Sequence, residues 1–232
     1  MPISLRTHLQ GSLALGRWLL KQSAVDEDLF HGKMCLEIGA GSTGVPGLVV
    51  ARYCGANRVV ISDTLPRLLK SLERNIALSR LDQGKGADGC DVSVQRLDWD
   101  DAAASPEDLP KGLALGSVDV IIGAEVIWAG CDPVPLVQTI RDLLRPTQKT
   151  EEKAAGDGKF SSRGGVAFIL MPKGGRGGEA PLLEAAATVG LAVETLVLPW
   201  ALGDEAPCEA TTQLAEGSSE ECWHLHVFRP PL

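Results

Sequence analysis

From residue 34 to residue 190, short apolar runs of strand length alternate with segments whose apolar residues recur at helical spacing. The runs predict strands at 34–38, 58–62, 92–97, 118–124 and 165–171. The periodic segments, with an earlier one near the N-terminus, predict helices at 8–22, 45–54, 65–79, 136–144 and 181–189. Alternation of this kind requires parallel strands that are joined by right-handed helical crossovers.

The end of the chain departs from this alternation. Two strand-like runs, 191–198 and 222–228, have no helical segment between them, so they can pair with each other only in antiparallel fashion. The chain is therefore predicted to form an α/β fold: a Rossmann-like, doubly wound, seven-stranded sheet, mostly parallel, with an antiparallel last strand. We expect one domain over residues 1–232, with an N-terminal helical segment at 1–30 and mobile loops at 147–164 and 203–221.

The charge of the chain narrows the choice of partner. The 22 basic and 30 acidic residues give a formal net charge of −8, which argues against binding to nucleic acid. Six of these negative charges fall in the segment 203–221, which contains no Lys or Arg. This segment is either a solvated surface loop or an acidic surface that attracts a basic protein, in which case activity would fall as salt rises.

The N-terminus and the cysteines carry weaker signals. Arg17 and Lys21 interrupt the longest apolar stretch, so no contact with a membrane is predicted. Residues 1–25 contain no acid, which suits either a helix packed on the sheet or an organellar targeting segment; otherwise a cytoplasmic or nuclear location is expected. The six cysteines include no CxxC pair, and His224 and His226, which alternate along the last predicted strand, are expected to be packing or surface residues, so no metal site is predicted.

A glycine-rich turn follows the first predicted strand and precedes a predicted helix. Residues 39–44 read GAGSTG, in the pattern GxGxxG. Glycines at such a turn let the backbone bend tightly and approach a ligand at the N-terminus of the helix. Taken alone, the motif is also compatible with a purely structural turn or with a dinucleotide site.

Four carboxylates fall at the C-terminal ends of predicted parallel strands, where open α/β sheets bind their ligands: Glu37, Asp63, Asp98 and Glu125. The spacing of Asp63 from the glycine turn suits a carboxylate that binds two ribose hydroxyls. Asp98 can accept a hydrogen bond from an adenine amine, and the indole of Trp99 can cover the ring. An acidic site would repel a pyrophosphate, so S-adenosylmethionine suits it better than NAD.

Five short segments carry a more specific resemblance: 36–41 (LEIGAG), 61–63 (ISD), 75–78 (NIAL), 97–99 (LDW) and 122–127 (IGAEVI). With the order of the strands, they resemble the class I, or seven-β-strand, S-adenosylmethionine-dependent methyltransferases. Within that class the chain is most similar to methyltransferase family 16, the protein-lysine methyltransferases. The resemblance extends over about residues 8–230.

The resemblance implies one set of cofactor-binding residues: Glu37, Gly39, Ala40, Gly41, Asp63, Asp98, Trp99 and Ala124. In that set the glycine turn lies against the methionine part of S-adenosylmethionine, and the glutamate before it holds the amino group indirectly. The aspartate after the second strand binds the ribose, the tryptophan packs on the adenine, and the last alanine lines the pocket.

Glu125 and Trp128 are the predicted catalytic residues, at the place where the family has Asp-x-x-Tyr. The carboxylate would orient an acceptor amine, and the indole would hold its cationic form by a cation–π contact. Glu125 could instead support the next helix, and Trp128 could be a packing residue. The expected acceptor is an exposed lysine of a non-histone protein. Arginine, histidine or a small amine is the alternative acceptor, and a non-catalytic protein that binds a cofactor or partner is a third interpretation.

Overall fold

The computed structural model describes residues 5–81, 89–105, 109–147, 160, 164–173, 177–199 and 222–231, with backbone alone for 5–9. The predicted loop at 203–221 lies outside the described residues, as does most of the predicted loop at 147–164. Within the described part of the chain, the helices are all too short or too polar to cross a bilayer.

Seven strands form a single sheet in the order β3-β2-β1-β4-β5-β7-β6. Their bounds are β1 Met34–Glu37, β2 Arg58–Asp63, β3 Asp91–Arg96, β4 Val120–Ala124, β5 Val166–Pro172, β6 Ala192–Pro199 and β7 Cys222–Arg229. The first five strands pair in parallel, whereas β7 is antiparallel to both of its neighbours, β5 and β6. The predicted fold class is confirmed.

Among the residues that the structure describes, six α-helices flank the sheet: α1 Leu5–Val25, α2 Val45–Tyr53, α3 Pro66–Leu78, α4 Trp99–Ala104, α5 Val134–Leu143 and α6 Glu179–Thr188. Buried side chains of α1, α2 and α3 pack on one face of the sheet, and those of α4, α5 and α6 pack on the other. Proline in the first turn favours the starts of α2, α3 and α5, because its missing N–H is not needed there. The sequence analysis did not predict α4 or the short 3-10 helix at Glu27–Leu29.

Three aromatic rings attach α1 to the sheet. Trp18 of α1 meets Phe168 of β5 edge to face, with ring centroids 5.0 Å apart, and Phe160 lies 5.8 Å from Trp18 and 5.3 Å from Phe168. Trp18 and Phe168 are buried. Edge-to-face pairs add stability beyond the area that they bury, so this cluster holds the N-terminal helix on the sheet.

The last strand of the chain, β7, lies inside the sheet, and β6 is the edge strand beside it. Ile169 of β5 pairs with His226, and Thr195 of β6 pairs with it on the other side. The histidines of β7 are therefore enclosed between two neighbouring strands.

Candidate cofactor site

The turn between β1 and α2 packs directly on the segments that follow β3 and β4. Gly39, Gly41 and Gly44 have φ angles of 60°, 64° and 62°, in the left-handed region that favours glycine. A Cβ atom on Gly39 would lie 2.9 Å from Cγ1 of Val126 and 3.4 Å from Cζ2 of Trp99. Glycine at position 39 therefore allows the ends of three strands to meet at one place.

Asp63, the last residue of β2, holds the glycine turn in place. Its Oδ2 atom accepts a hydrogen bond from the N–H of Gly41 at 2.9 Å, and its Oδ1 atom accepts one from the N–H of Leu65 at 3.2 Å. Asp63 is only 9% exposed. A carboxylate has about four acceptor positions, so Asp63 can accept further hydrogen bonds from a pair of hydroxyls.

Asp98 connects β2, β3 and α4. Its Oδ2 atom accepts hydrogen bonds from the hydroxyl of Thr64 at 2.7 Å and from the guanidinium of Arg96 at 3.0 Å. Its Oδ1 atom accepts from the N–H of Asp100 at 3.2 Å and so caps α4, whose first residue is Trp99. These contacts assign Asp98 the role of positioning Trp99 beside the glycine turn.

Glu37, the last residue of β1, binds the first turn of α2. Its Oε2 atom accepts a hydrogen bond from the N–H of Gly47 at 2.8 Å. The N-cap residue of α2 is Gly44, which has no side chain, so a carboxyl group from the neighbouring strand satisfies one of the free N–H groups of the helix. Burial raises the pKa of Glu37 to about 8, against the lowering effect of the Gly47 hydrogen bond.

The two alanines of the predicted cofactor set line the same region. The N–H of Ala40 donates to the carbonyl of Ser62 at 2.9 Å, which adds a second link between the glycine turn and β2. Ala124 ends β4 and is half-buried. Both small side chains leave room beside the turn.

Glu125 has a strained backbone and lies beneath α1. Its φ angle is 55°, which costs a non-glycine residue about 1–3 kcal/mol, and such strain concentrates at functional sites. A Cβ atom on Gly11 would lie 2.9 Å from Cγ and 3.0 Å from Oε1 of Glu125. Helix α5 begins only at Val134, with Pro133 as its N-cap, so Glu125 lies outside its first turn.

Trp128 lies three residues further along the same loop and is 51% exposed. Its side chain is therefore not enclosed in the core. The loop rests on the segment before α6: a Cβ atom on Gly178 would lie 3.0 Å from the backbone nitrogen of Trp128 and 2.6 Å from Cγ2 of Ile127. The indole is thus presented to solvent by a loop whose backbone is tightly packed.

Three residues of this region were missed in the sequence: Gly11, Gly47 and Thr64. A Cβ atom on Gly47 would lie only 2.6 Å from Oε2 of Glu37, so this glycine allows the carboxyl group to reach the helix. The signal for Gly11 and Gly47 was a glycine inside a predicted helix, which often marks a close approach of another chain segment. Thr64 carried no comparable signal.

Comparison with known proteins identifies a matching family and several relatives. The family described as lysine methyltransferase matches residues 9–153. The protein-lysine N-methyltransferase EEF2KMT of Mus musculus is 27% identical over 154 residues, which are 63% of this chain and 40% of that protein. The calmodulin-lysine N-methyltransferase of Arabidopsis thaliana is 29% identical over 122 residues, 53% of this chain and 36% of that protein. The chain thus spans well under half the length of these relatives.

A third relative has a different acceptor in its name. The histone-arginine methyltransferase METTL23 of Xenopus laevis is 28% identical over 121 residues, 51% of this chain and 44% of that protein.

Solved structures show the same fold at low sequence identity. A sarcosine dimethylglycine methyltransferase, so described for Galdieria sulphuraria, superposes with a TM-score of 0.60 at 14% identity and covers 94% of this chain and 86% of its own. The M. jannaschii TYW2 structure in complex with AdoMet has a TM-score of 0.51 at 14% identity, over 97% and 76% of the two chains. These likenesses confirm the class I methyltransferase fold. Because the family match covers more than half of the chain, this protein belongs to the lysine methyltransferase family.

Proposed function

We propose that the chain transfers the methyl group of S-adenosylmethionine to the side chain of a lysine in a protein. The observation that carries the proposal is the contact of Gly39 with Val126 and Trp99, which brings the loops after β1, β3 and β4 into one site. Membership of the lysine methyltransferase family supports the choice of reaction.

The residues at the strand ends fit the proposed cofactor. A Cβ atom on Gly41 would meet nothing within 4 Å, so there is open space beside the turn. Asp63 has acceptor positions left for two ribose hydroxyls, and the half-buried indole of Trp99 offers a face for an adenine ring. When bound, S-adenosylmethionine supplies an already activated methyl group, so the task left to the protein is the placement of a neutral nucleophile.

The loop after β4 is the proposed acceptor site. A lysine amine has a pKa of about 10.4 in water, so under about 1% of it is neutral near pH 7, and desolvation shifts it towards the neutral form. Glu125 orients the amine through a hydrogen bond, and the exposed indole of Trp128 holds the cationic form on arrival. Arginine is the second candidate, because Trp128 replaces the tyrosine of the family and one relative is named for arginine methylation.

Incubation of the full chain with a soluble proteome and methyl-labelled S-adenosylmethionine tests the proposal. We expect label in one or a few proteins, and methylated lysine after acid hydrolysis. Label in methylarginine would select the second candidate. Label confined to small molecules or nucleic acid, or cofactor binding without any turnover, would overturn the proposal.

Replacement of Asp63 by alanine should weaken cofactor binding by about 1–3 kcal/mol, or roughly 5- to 150-fold in Kd, because charged hydrogen bonds to the ribose are lost. The loosened N–H of Gly41 adds to the effect. Titration calorimetry with S-adenosylmethionine measures it. Glu73→Ala, which removes an exposed acid from α3, is the matched control and should keep the wild-type Kd. An unchanged Kd in Asp63→Ala would place the ribose elsewhere.

Glu125→Gln should lower kcat/KM about 100-fold and leave the Kd of the cofactor unchanged, because misplacement of a nucleophile by about 1 Å costs this much. Steady-state kinetics on the substrate found by labelling measures the loss. Asp132→Asn makes the same change on an exposed acid of the same loop and should retain the wild-type rate. Wild-type turnover in Glu125→Gln would show that its carboxylate does not orient the acceptor.

A further inference from the structure

A second group of chemically active side chains lies on the opposite face of the sheet from α1. Glu179 begins α6, and His224 and His226 are two residues apart on β7, so both rings point towards the face that α6 covers. One potential ligand atom from each of the three side chains lies within 4.8 Å of the others. Oε1 of Glu179 is 3.4 Å from Nε2 of His226 and is also in contact with Nδ1 of His224.

His226 is the most constrained member of this group. Its side chain is fully buried, and its Nδ1 atom is 2.9 Å from the hydroxyl of Thr195. Its Nε2 atom has no hydrogen-bond partner among the described residues. If Nδ1 donates its proton to Thr195, the lone pair of Nε2 points towards Glu179. A buried ring nitrogen without a hydrogen-bond partner lowers the stability of the fold, and a bound ligand would satisfy it.

We propose that Glu179, His224 and His226 form a binding site for one divalent metal ion, of which Zn²⁺ fits best. Ligands at about 2.0–2.1 Å from a tetrahedral ion are separated by about 3.3 Å, and the Glu179–His226 separation of 3.4 Å agrees with this. Two imidazoles and a carboxylate are a ligand set that Zn²⁺ accepts, with a fourth position left for water.

The surroundings of the three ligands supply what a metal site needs. The side chains of His224 and Glu179 are 18% and 20% exposed, which gives the ion a path from solvent. The Thr195 contact holds the ring of His226 in place from its second nitrogen, as partners of metal-bound histidines do.

An ion at this site would tie the start of α6 to β7, the strand next to the edge of the sheet. The two glycines before Glu179 pack on the acceptor loop: a Cβ atom on Gly177 would lie 3.2 Å from Cβ of Ala129, and Gly178 lies against Ile127. The metal site thus supports the loop that carries Trp128 without taking part in the chemistry.

Titration of the metal-stripped full chain with ZnCl2 tests this proposal without an activity measurement. We expect one ion per chain by calorimetry, and the visible bands of a nitrogen-ligated tetrahedral ion when Co²⁺ replaces Zn²⁺. At a free Zn²⁺ concentration of about 100 times Kd, the Tm should rise by roughly 5 to 10 °C. Absence of Zn²⁺ and Co²⁺ binding would mean that the group is only a hydrogen-bonded His–Glu cluster.

Three variants locate the ion. His224→Gln and Glu179→Gln change partly exposed side chains and should each weaken Zn²⁺ binding more than about 10-fold, and Thr195→Val should weaken it roughly 10- to 100-fold by releasing the His226 ring. His31→Gln removes an exposed histidine elsewhere and should leave the Kd unchanged. Binding that survives both glutamine variants, or that is lost in His31→Gln, would overturn the proposal. Because no step uses S-adenosylmethionine, these outcomes are independent of the proposed function.

Discussion

The wild-type chain should lose stability as the pH rises from about 4.5 to about 8, and Glu37→Gln should abolish this loss. Burial raises the pKa of Glu37 from 4.5 to about 8, so the folded chain holds a proton there that the unfolded chain has released. Folding then takes up a proton, and each pH unit in this window removes about 1.4 kcal/mol from the free energy of unfolding. The full loss amounts to roughly 3 to 5 kcal/mol, and it is complete above pH 8.

Comparing wild type with Glu37→Gln separates the effect of Glu37 on stability from that of a second titrating group, His226. Burial lowers the pKa of His226 to about 4, so the unfolded chain binds a proton that the folded chain lacks, and stability rises with pH between about 4 and 6.5. His226 is present in both proteins and cancels in the difference. Between pH 6.5 and 8 the wild-type loss should stand alone.

Urea unfolding at pH 5, 6.5 and 8 measures the difference between wild type and Glu37→Gln. The control is Glu73→Gln, which changes an exposed acid. The difference in stability between wild type and Glu73→Gln should not depend on pH. A wild-type stability that stays parallel to that of Glu37→Gln from pH 5 to pH 8 would show that the carboxyl group ionises freely in the folded chain. A cationic ligand beside Glu37 should lower its pKa and release the proton.

Phe168→Ala should lower the free energy of unfolding by about 3–5 kcal/mol and the Tm by roughly 10 °C. The ring is fully buried on β5 and lies against Trp18 and Phe160, so its removal leaves a cavity and breaks two edge-to-face contacts. Thermal and urea unfolding measure the loss.

Tyr53→Ala is the matched control for this substitution, because it removes an aromatic ring that is 65% exposed. Its effect should stay within about 0.5 kcal/mol. If the two substitutions cost the same, or if Phe168→Ala costs less than about 1 kcal/mol, α1 does not depend on this cluster for its place on the sheet.

The strands and long helices could be predicted because each is encoded locally. The runs that form β4 and β5 are apolar over their whole length, and those of β1 and β2 are apolar except at their ends, as expected for strands covered on both faces. The helix α4 has only six residues, too few to show a helical period, and it starts because Asp98 caps it. The place of β7 depends on pairing with a strand far away in sequence, which no local pattern records.

The placement of the site residues could likewise be predicted from the sequence. Glu37, Asp63, Asp98 and Glu125 follow strands, and the carboxyl ends of parallel strands share one edge of the sheet. Their individual contacts were not predictable, because Gly11 and Thr64 come close to them only when distant segments pack. The convergence of Glu179 with two histidines was hidden for the same reason, since α6 and β7 are separated by more than thirty residues in the sequence.

The position of Gly11 over Glu125 has a consequence for the order of folding. Gly11 of α1 packs on the side chain of Glu125, and the N–H of Glu125 donates to the carbonyl of Leu170 on β5 at 2.8 Å. Segments from early and late in the chain therefore impose the left-handed backbone of this one residue. Contacts that join distant segments form late, because closing long loops costs entropy before any contact is gained. Partly folded chains with an intact glycine turn would thus lack the ordered loop after β4.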